Sequence, residues 1–201
     1  MELHLFRHGE TNWNKEHRAQ SHDGSELSET GIQQAIALGE RIKTIAYDKV
    51  FSSSSLRARQ TAKLIWPKIK SEIVCLEDFR EISLGRWEGS LFKDIEVTDP
   101  LSHKHFFLEP HLFSLPGAET FHNLTARAVK SVNTIKEKYP LNKIAVVSHG
   151  AFIKAFLTNL EGKSVSQLWE PPFMHNCAHS IVKLPSTGTA QILKYADLEK
   201  W

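Results

Sequence analysis

Arg7 and His8 stand side by side where the first alternating stretch of the chain, Met1–Phe6 (MELHLF), comes to an end. The period-2 pattern is that of a strand, and an α/β sheet presents its ligand crevice at the carboxyl ends of its strands. Two further stretches end in the same kind of chemistry. NKIAVVSHG, Asn142–Gly150, is a continuous apolar run that stops at Ser-His-Gly, and YDKVFSS, Tyr47–Ser53, leads through serines to Arg57. Arg57 falls in the first turn of the helix that follows, where a positive side chain opposes the helix dipole. An anion at that N-terminus would use both the dipole and the guanidinium, and the planar fork of arginine matches phosphate oxygens. Arg7, His8, Arg57 and His149 at three strand ends therefore point to a pocket for a phosphoryl group.

The elements that must hold these residues alternate between strand and helix. Ser28 can cap a helix whose apolar stripe is Ile32, Ala35, Ile36, Gly39, Ile42 and Ile45. A strand over Tyr47–Ser53 is followed by a helix from Leu56 to Lys70, with Pro67 marking its last turn or a kink. Glu72–Leu76 is strand-like, and Asp78–Gly89 fits neither period and reads as a functional loop. Residues 90–117 read as an irregular insertion on the substrate side, because Asp99–Gly117 holds three prolines, three histidines and several aromatics. Glu119–Lys138 returns to helix. The Asn142–Gly150 run is a strand buried on both faces, a helix covers Ala151–Leu160, and Cys177–Leu184 with Ala190–Tyr195 form a closing strand pair around Ser186–Gly188. Gly9, after the first strand, permits backbone geometry that other residues resist. This order predicts one α/β domain over residues 1–201, a three-layer α/β/α sandwich with a largely parallel central sheet.

Bulk properties narrow the function classes. The chain has 201 residues, 41% of them hydrophobic and 24% charged, enough for a substantial core. A net charge of +2 argues for neither nucleic-acid nor membrane partners. No apolar run reaches transmembrane length, and the charged RHGE stretch interrupts any signal peptide, so the expected location is the cytoplasm. Cys75 and Cys177 lie far apart without metal-type spacing and read as small apolar residues in a reducing compartment.

RHGETNWN (7–14), LSETG (27–31) with Gln34-Ala35, and SSSSLRARQTA (52–62) resemble the histidine phosphatase, or phosphoglycerate-mutase-like, superfamily. REISLGRWEG (80–89), PGAET (116–120) and VVSHG (146–150) do so as well, and in family order. The resemblance implies a three-layer α/β/α fold with no metal or organic cofactor and a small phosphorylated substrate. It makes His8 the nucleophile that becomes phosphohistidine, with Arg7, Arg57 and His149 clamping the phosphoryl oxygens. Asn14 matches a family position that contacts the phosphoryl group, Gly150 falls beside His149 in that site, and Glu81 matches the proton donor. Trp87 and Glu119, both inside matched motifs, are candidates for contact with the substrate. The short chain and the LGRWEG segment look like the phosphatase branch, which includes broad-specificity and α-ribazole-phosphate phosphatases. Ser54 departs from the aspartate or proline of many relatives.

Elementary chemistry agrees with these roles. Phosphoryl transfer needs in-line positioning and neutralisation of oxygen charge. Imidazole attacks only through an unprotonated nitrogen, so the other nitrogen should donate to an acceptor, and nearby arginines keep His8 neutral. The leaving oxygen needs a proton from a carboxylic acid; Glu81 is the first candidate, with Glu88 and Glu119 behind it. Alternatives are mutase-type transfer back to the substrate, a scaffold that has lost its chemistry, and a metal enzyme using His175, Cys177 and His179 of HNCAH, which share a face if they lie on a strand. In the insertion, Phe106, Phe107 and Phe113 could favour an apolar leaving group, and His103, His105 and His111 could add positive charge for a second acidic group.

Overall fold

The computed structural model describes residues 1–22, 24–68 and 72–200. Among these residues six strands form one sheet in the order β3-β2-β4-β1-β5-β6. They are β1 (Glu2–Arg7), β2 (Lys49–Ser53), β3 (Val74–Leu76), β4 (Lys143–Ser148), β5 (His179–Lys183) and β6 (Gln191–Lys194). The first four run parallel, while β5 and β6 run antiparallel to their neighbours. The helices are α1 (Asn12–Lys15), α2 (Glu29–Ile42), α3 (Leu56–Ile65), α4 (Phe92–Thr98), α5 (Pro100–Leu108), α6 (Phe121–Lys138) and α7 (Gly150–Leu160).

Strand periodicity assigns the two faces. On β4, Ala145 and Val147 join Ala35, Leu38 and Ile42 of α2 and Ala58, Ala62 and Ile65 of α3 in one apolar cluster. Ile144 and Val146 face the other way, into a larger cluster with Leu124, Ala128 and Val132 of α6 and Phe152, Ile153 and Phe156 of α7. A strand apolar at every position is the consequence of helices on both sides. The three-layer α/β/α sandwich with its largely parallel sheet is thus the observed architecture.

Local expectations needed correction in four places. Ile36 is 42% exposed on α2 and Leu38 is buried in its stead, because α2 turns its glycines inward: a Cβ on Gly39 would meet the Ile65 carbonyl oxygen at 2.7 Å. α3 ends at Ile65, since Trp66 precedes Pro67 and leaves helical geometry (φ −124°, ψ 65°); Lys70 lies outside the described residues. The insertion forms two helices, 92–98 and 100–108, rather than an irregular stretch. Its prolines open elements instead of breaking them, Pro100 and Pro110 both sitting in a first turn where no backbone N–H is needed. Finally, Gly9 serves close approach rather than unusual φ, as a Cβ there would meet the Gly31 carbonyl oxygen at 2.6 Å.

The parallel pairing places the chemistry. Arg7 of β1 is in register with Ser148 of β4, so His8 and His149 are the next residues on adjacent strands. β2 lies on the far side of β4 and delivers Ser53 and Ser55 to the same edge, with α3 starting immediately after.

Candidate active site

His8 is buried and held from several directions. Its backbone N–H donates to the Ser148 carbonyl at 3.0 Å, and its own carbonyl accepts from Cys177 N and Asn176 Nδ2, both at 3.2 Å. Nδ1 lies 2.7 Å from the Gly9 carbonyl oxygen. A carbonyl can only accept, so Nδ1 carries the proton and Nε2 carries the lone pair. Arg57 Nε–H donates to that lone pair at 3.2 Å. Burial, then Arg57, then Arg7 hold the His8 pKa well below the ordinary histidine value. The imidazole is neutral at neutral pH.

Arg57, 2% exposed, projects from the first turn of α3 and donates through Nη2 to the Ser21 carbonyl at 2.7 Å. Burial pulls its pKa down to about 10, with Glu81 and Glu88 opposing. Glu88 fixes the loop from which Ser21 reaches Arg57: its carboxylate accepts from Ser21 N at 2.9 Å and from Ser21 Oγ. Arg7 donates through Nη1 to the Met174 carbonyl at 2.5 Å. His149 completes the ring of cationic and imidazole groups, its ring centroid 5.2 Å from that of His8. Burial, then Arg57 and His8, keep His149 neutral as well. Its Nε2 lies 2.8 Å from Ser53 Oγ and 3.3 Å from Ser55 Oγ. Among the described residues, His149 Nδ1 and Arg7 Nε are buried without a hydrogen-bond partner.

Glu81 lies at the N-terminus of α7. Its carboxylate accepts from Ala151 N and Phe152 N at 3.0 Å each and from Ile82 N at 2.9 Å. The side chain faces a cleft of about 300 Å³ that it shares with Arg7, His8, Asn14 and Gly150. Asn14 Oδ1 accepts from Thr11 N at 3.2 Å and Asn176 Nδ2 at 3.3 Å, which leaves the amide nitrogen of Asn14 as its donor toward the cleft.

Other anticipated residues stand elsewhere. Glu119 pairs with Arg127 at 2.7 Å, and that guanidinium also donates to the Asp78, Arg80 and Glu81 carbonyls. Glu119 therefore braces the loop that carries Glu81. Trp87 is buried behind the cleft against Phe106 and Phe113, with Nε1 donating to Asp99 at 3.1 Å. Phe106 and Phe107 line the cleft, whereas Phe113 is core. His103, His105 and His111 do not line it. His175, Cys177 and His179 are dispersed: His175 pairs with Asp197 at 3.2 Å, Cys177 is buried, and His179 stacks on Phe6 and meets His4 inside the sheet. Among the described residues, no three histidine, cysteine or acidic side chains gather as a metal site.

Several contributors were missed. Asn176 bridges His8 and Asn14, and its place beside the other end of the site follows only from β5 pairing with β1. Gln20 lines the cleft with a buried Nε2 that has no partner among the described residues. Trp169, Phe173 and Met174 build a wall of the cleft from a segment with no motif at all. That segment is anchored by Lys154 of α7, whose Nζ donates to the Glu170 carbonyl at 2.5 Å and the Pro172 carbonyl at 3.3 Å.

Comparison with known proteins matches residues 3–197 to the histidine phosphatase superfamily (branch 1). The uncharacterized phosphatase PhoE of Bacillus subtilis is 33% identical over 158 residues, covering 79% of this chain and 76% of the relative. The metal-independent phosphoserine phosphatase of Arabidopsis thaliana is 32% identical over 171 residues, covering 83% and 72%. Among solved structures, Bacillus stearothermophilus YhfR superposes with a TM-score of 0.94 at 32% identity, covering 98% of this chain and 97% of that one.

Proposed function

The chain belongs to the histidine phosphatase superfamily, and from that premise we propose that it hydrolyses a phosphomonoester through a phosphohistidine on His8, as a single domain around one site. The observation that carries this reading is the tautomer of His8. With Nδ1–H donating to Gly9 O, Nε2 holds the lone pair that phosphorus would take, and the Arg57 Nε–H that meets it at 3.2 Å would give way to the phosphoryl group.

Nε2 attacks phosphorus, a P–N bond forms, and the ester P–O bond breaks in line with it. Arg7, Arg57 and His149 meet the equatorial oxygens, and the Asn14 amide adds a donor. The Gly150 backbone lies beside them. Glu81 gives its proton to the departing alcohol oxygen. Water then attacks the phosphorus and passes a proton to Glu81, the P–N bond breaks, and His8 recovers its lone pair as phosphate leaves. No step calls on a metal or organic cofactor; the charge that a metal would neutralise is met by guanidinium groups.

The test is to trap the intermediate. An alkaline quench with labelled substrate should leave label on the protein, because acid destroys phosphohistidine. His8→Ala should show neither label nor turnover. Label or turnover persisting in His8→Ala would sink the assignment.

A further inference from the structure

Residues 170–178 belong to no helix or strand and run as an irregular strap into β5. Pro171 and Pro172 offer no backbone N–H, and three carbonyls at alternate residues of the strap accept from cationic side chains. Glu170 O and Pro172 O accept from Lys154 Nζ at 2.5 and 3.3 Å. Met174 O accepts from Arg7 Nη1 at 2.5 Å. Among the described residues, Met174 O is the hydrogen-bond acceptor that sets the aim of the Arg7 guanidinium, whose Nε has no partner. Beyond Met174 the strap reaches the nucleophile, with Asn176 Nδ2 and Cys177 N donating to the His8 carbonyl at 3.2 Å each. One strap thus connects Lys154 of α7 to Arg7 and to the backbone of His8.

Lys154 is 4% exposed, and a buried ammonium is costly unless it is well bound. Its Nζ has the two carbonyls and the face of the Tyr195 ring, with the centroid 5.2 Å away. An apolar side chain would fill the same space without that desolvation, but it could not bind the strap. The charged and titratable groups around Lys154 are Glu161, Lys163 and Glu170 on its own side, with Tyr195 behind it and Arg7, Arg18 and Glu81 along the same cleft.

We propose that Lys154 is a positioning residue for phosphoryl transfer: its ammonium fixes the strap, and the Met174 carbonyl of that strap fixes the Arg7 guanidinium against the phosphoryl oxygens. This rests on the phosphomonoesterase reading above and adds to it a residue that acts through Arg7. Loss of a proton turns an ammonium with three charge-assisted donors into an amine with two weaker ones. Arg7 therefore loses its aim as the solution becomes alkaline. Burial pulls the Lys154 pKa down to about 8, with Glu161 opposing, Lys163 assisting and Glu170 opposing. Burial pushes the Tyr195 phenol up, Arg57 titrates at about 10 and Cys177 at about 12, all above that window. His8 and His149 lie well below the ordinary histidine value.

The test is the pH dependence of kcat on p-nitrophenyl phosphate, whose phenolate leaves without a proton, so that Glu81 adds no alkaline limb. For the parent protein kcat should fall at least about threefold between pH 7 and pH 9, with a midpoint near pH 8. Lys154→Arg stays charged throughout and should hold its kcat across that range. Lys154→Met should lower kcat at pH 7 about 10- to 100-fold, the scale of a catalytic group displaced by about 1 Å, and should show no limb near pH 8. In an Arg7→Ala background Lys154→Met should cost less than about twofold, because the group it aims is gone. A flat parent profile, a parent-like kcat in Lys154→Met, a limb that persists in Lys154→Arg, or losses that multiply with Arg7→Ala each overturn the proposal and leave the phosphatase reading intact. If a Lys154 variant does not fold, the parent profile alone decides. Absence of turnover by the parent protein at every pH overturns the phosphatase reading, and this proposal with it.

Discussion

The two ends of the cleft are built on different principles. At the phosphoryl end, Arg57, His8 and His149 are at most 3% exposed, and each is tied by hydrogen bonds to backbone or neighbouring side chains. At the leaving-group end the rings are partly open to solvent and meet through packing. Positions at the first end are set by strand register, which tolerates little error. Those at the second depend on side chains arriving from two segments some sixty residues apart, Phe106 and Trp169 among them. Under the proposed function the chemistry falls to the buried sheet edge, and the partly exposed rings can be repacked without disturbing it.

The largest expected effect tests whether the first end is indifferent to the second. Arg57→Ala should lower kcat about 100- to 1000-fold, the scale of losing one preorganised oxyanion donor, and by the same factor for ethyl and hexyl phosphate. Lysine should restore only part of the loss, because it keeps the charge and loses the fork. Unequal losses on the two esters would mean that the guanidinium also reads the leaving group.

Glu81 stands where the two ends meet, so its effect should depend on the alcohol. Glu81→Gln cannot exchange a proton at a useful rate. An alkyl phosphate should then stall before the phosphoenzyme forms. An activated aryl phosphate should still phosphorylate His8 and release about one equivalent of phenol in a burst, followed by slow turnover. Equal losses on both kinds of substrate without a burst would remove Glu81 from the proton transfer.

The smallest effect concerns stability against pH. His8, His149, His4 and His179 are all held neutral by burial first of all, His179 pushed down to about 2 by burial, His4, Lys194 and Arg41. Their pKa values are lowered, so below about 6.5 the unfolded chain binds protons that the folded chain refuses. Stability is therefore full above that pH and falls as the solution is acidified. At pH 5 His179 alone should account for about 2 kcal/mol. Among the described residues, no histidine other than His8 lines the cleft, so Phe173→Ser should not change the slope. Urea midpoints at pH 7.5 and pH 5 measure both, and equal midpoints for the parent protein would contradict the buried neutral histidines.

Local sequence determined the sheet and the phosphoryl end. The alternation in Met1–Phe6 and the uninterrupted apolar run before His149 report burial on one or both faces of a strand, a property that each short segment carries in itself. Arg7, His8, Arg57 and His149 were legible for the same reason: each stands at the end of such a segment, and parallel pairing then brings those ends together. The sequence already ranked Glu81 ahead of Glu88 and Glu119 as proton donor; what the tertiary structure adds is that Glu81 alone of the three faces the cleft, while the others steady Ser21 and Arg127. It also decided that Ile36 faces outward, since glycine contacts between helix backbones outweigh an apolar stripe. The same holds for Asn176, Lys154 and the Trp169–Met174 wall. Their contacts join residues far apart in the chain, and a contact of that kind leaves no periodicity or spacing in either segment.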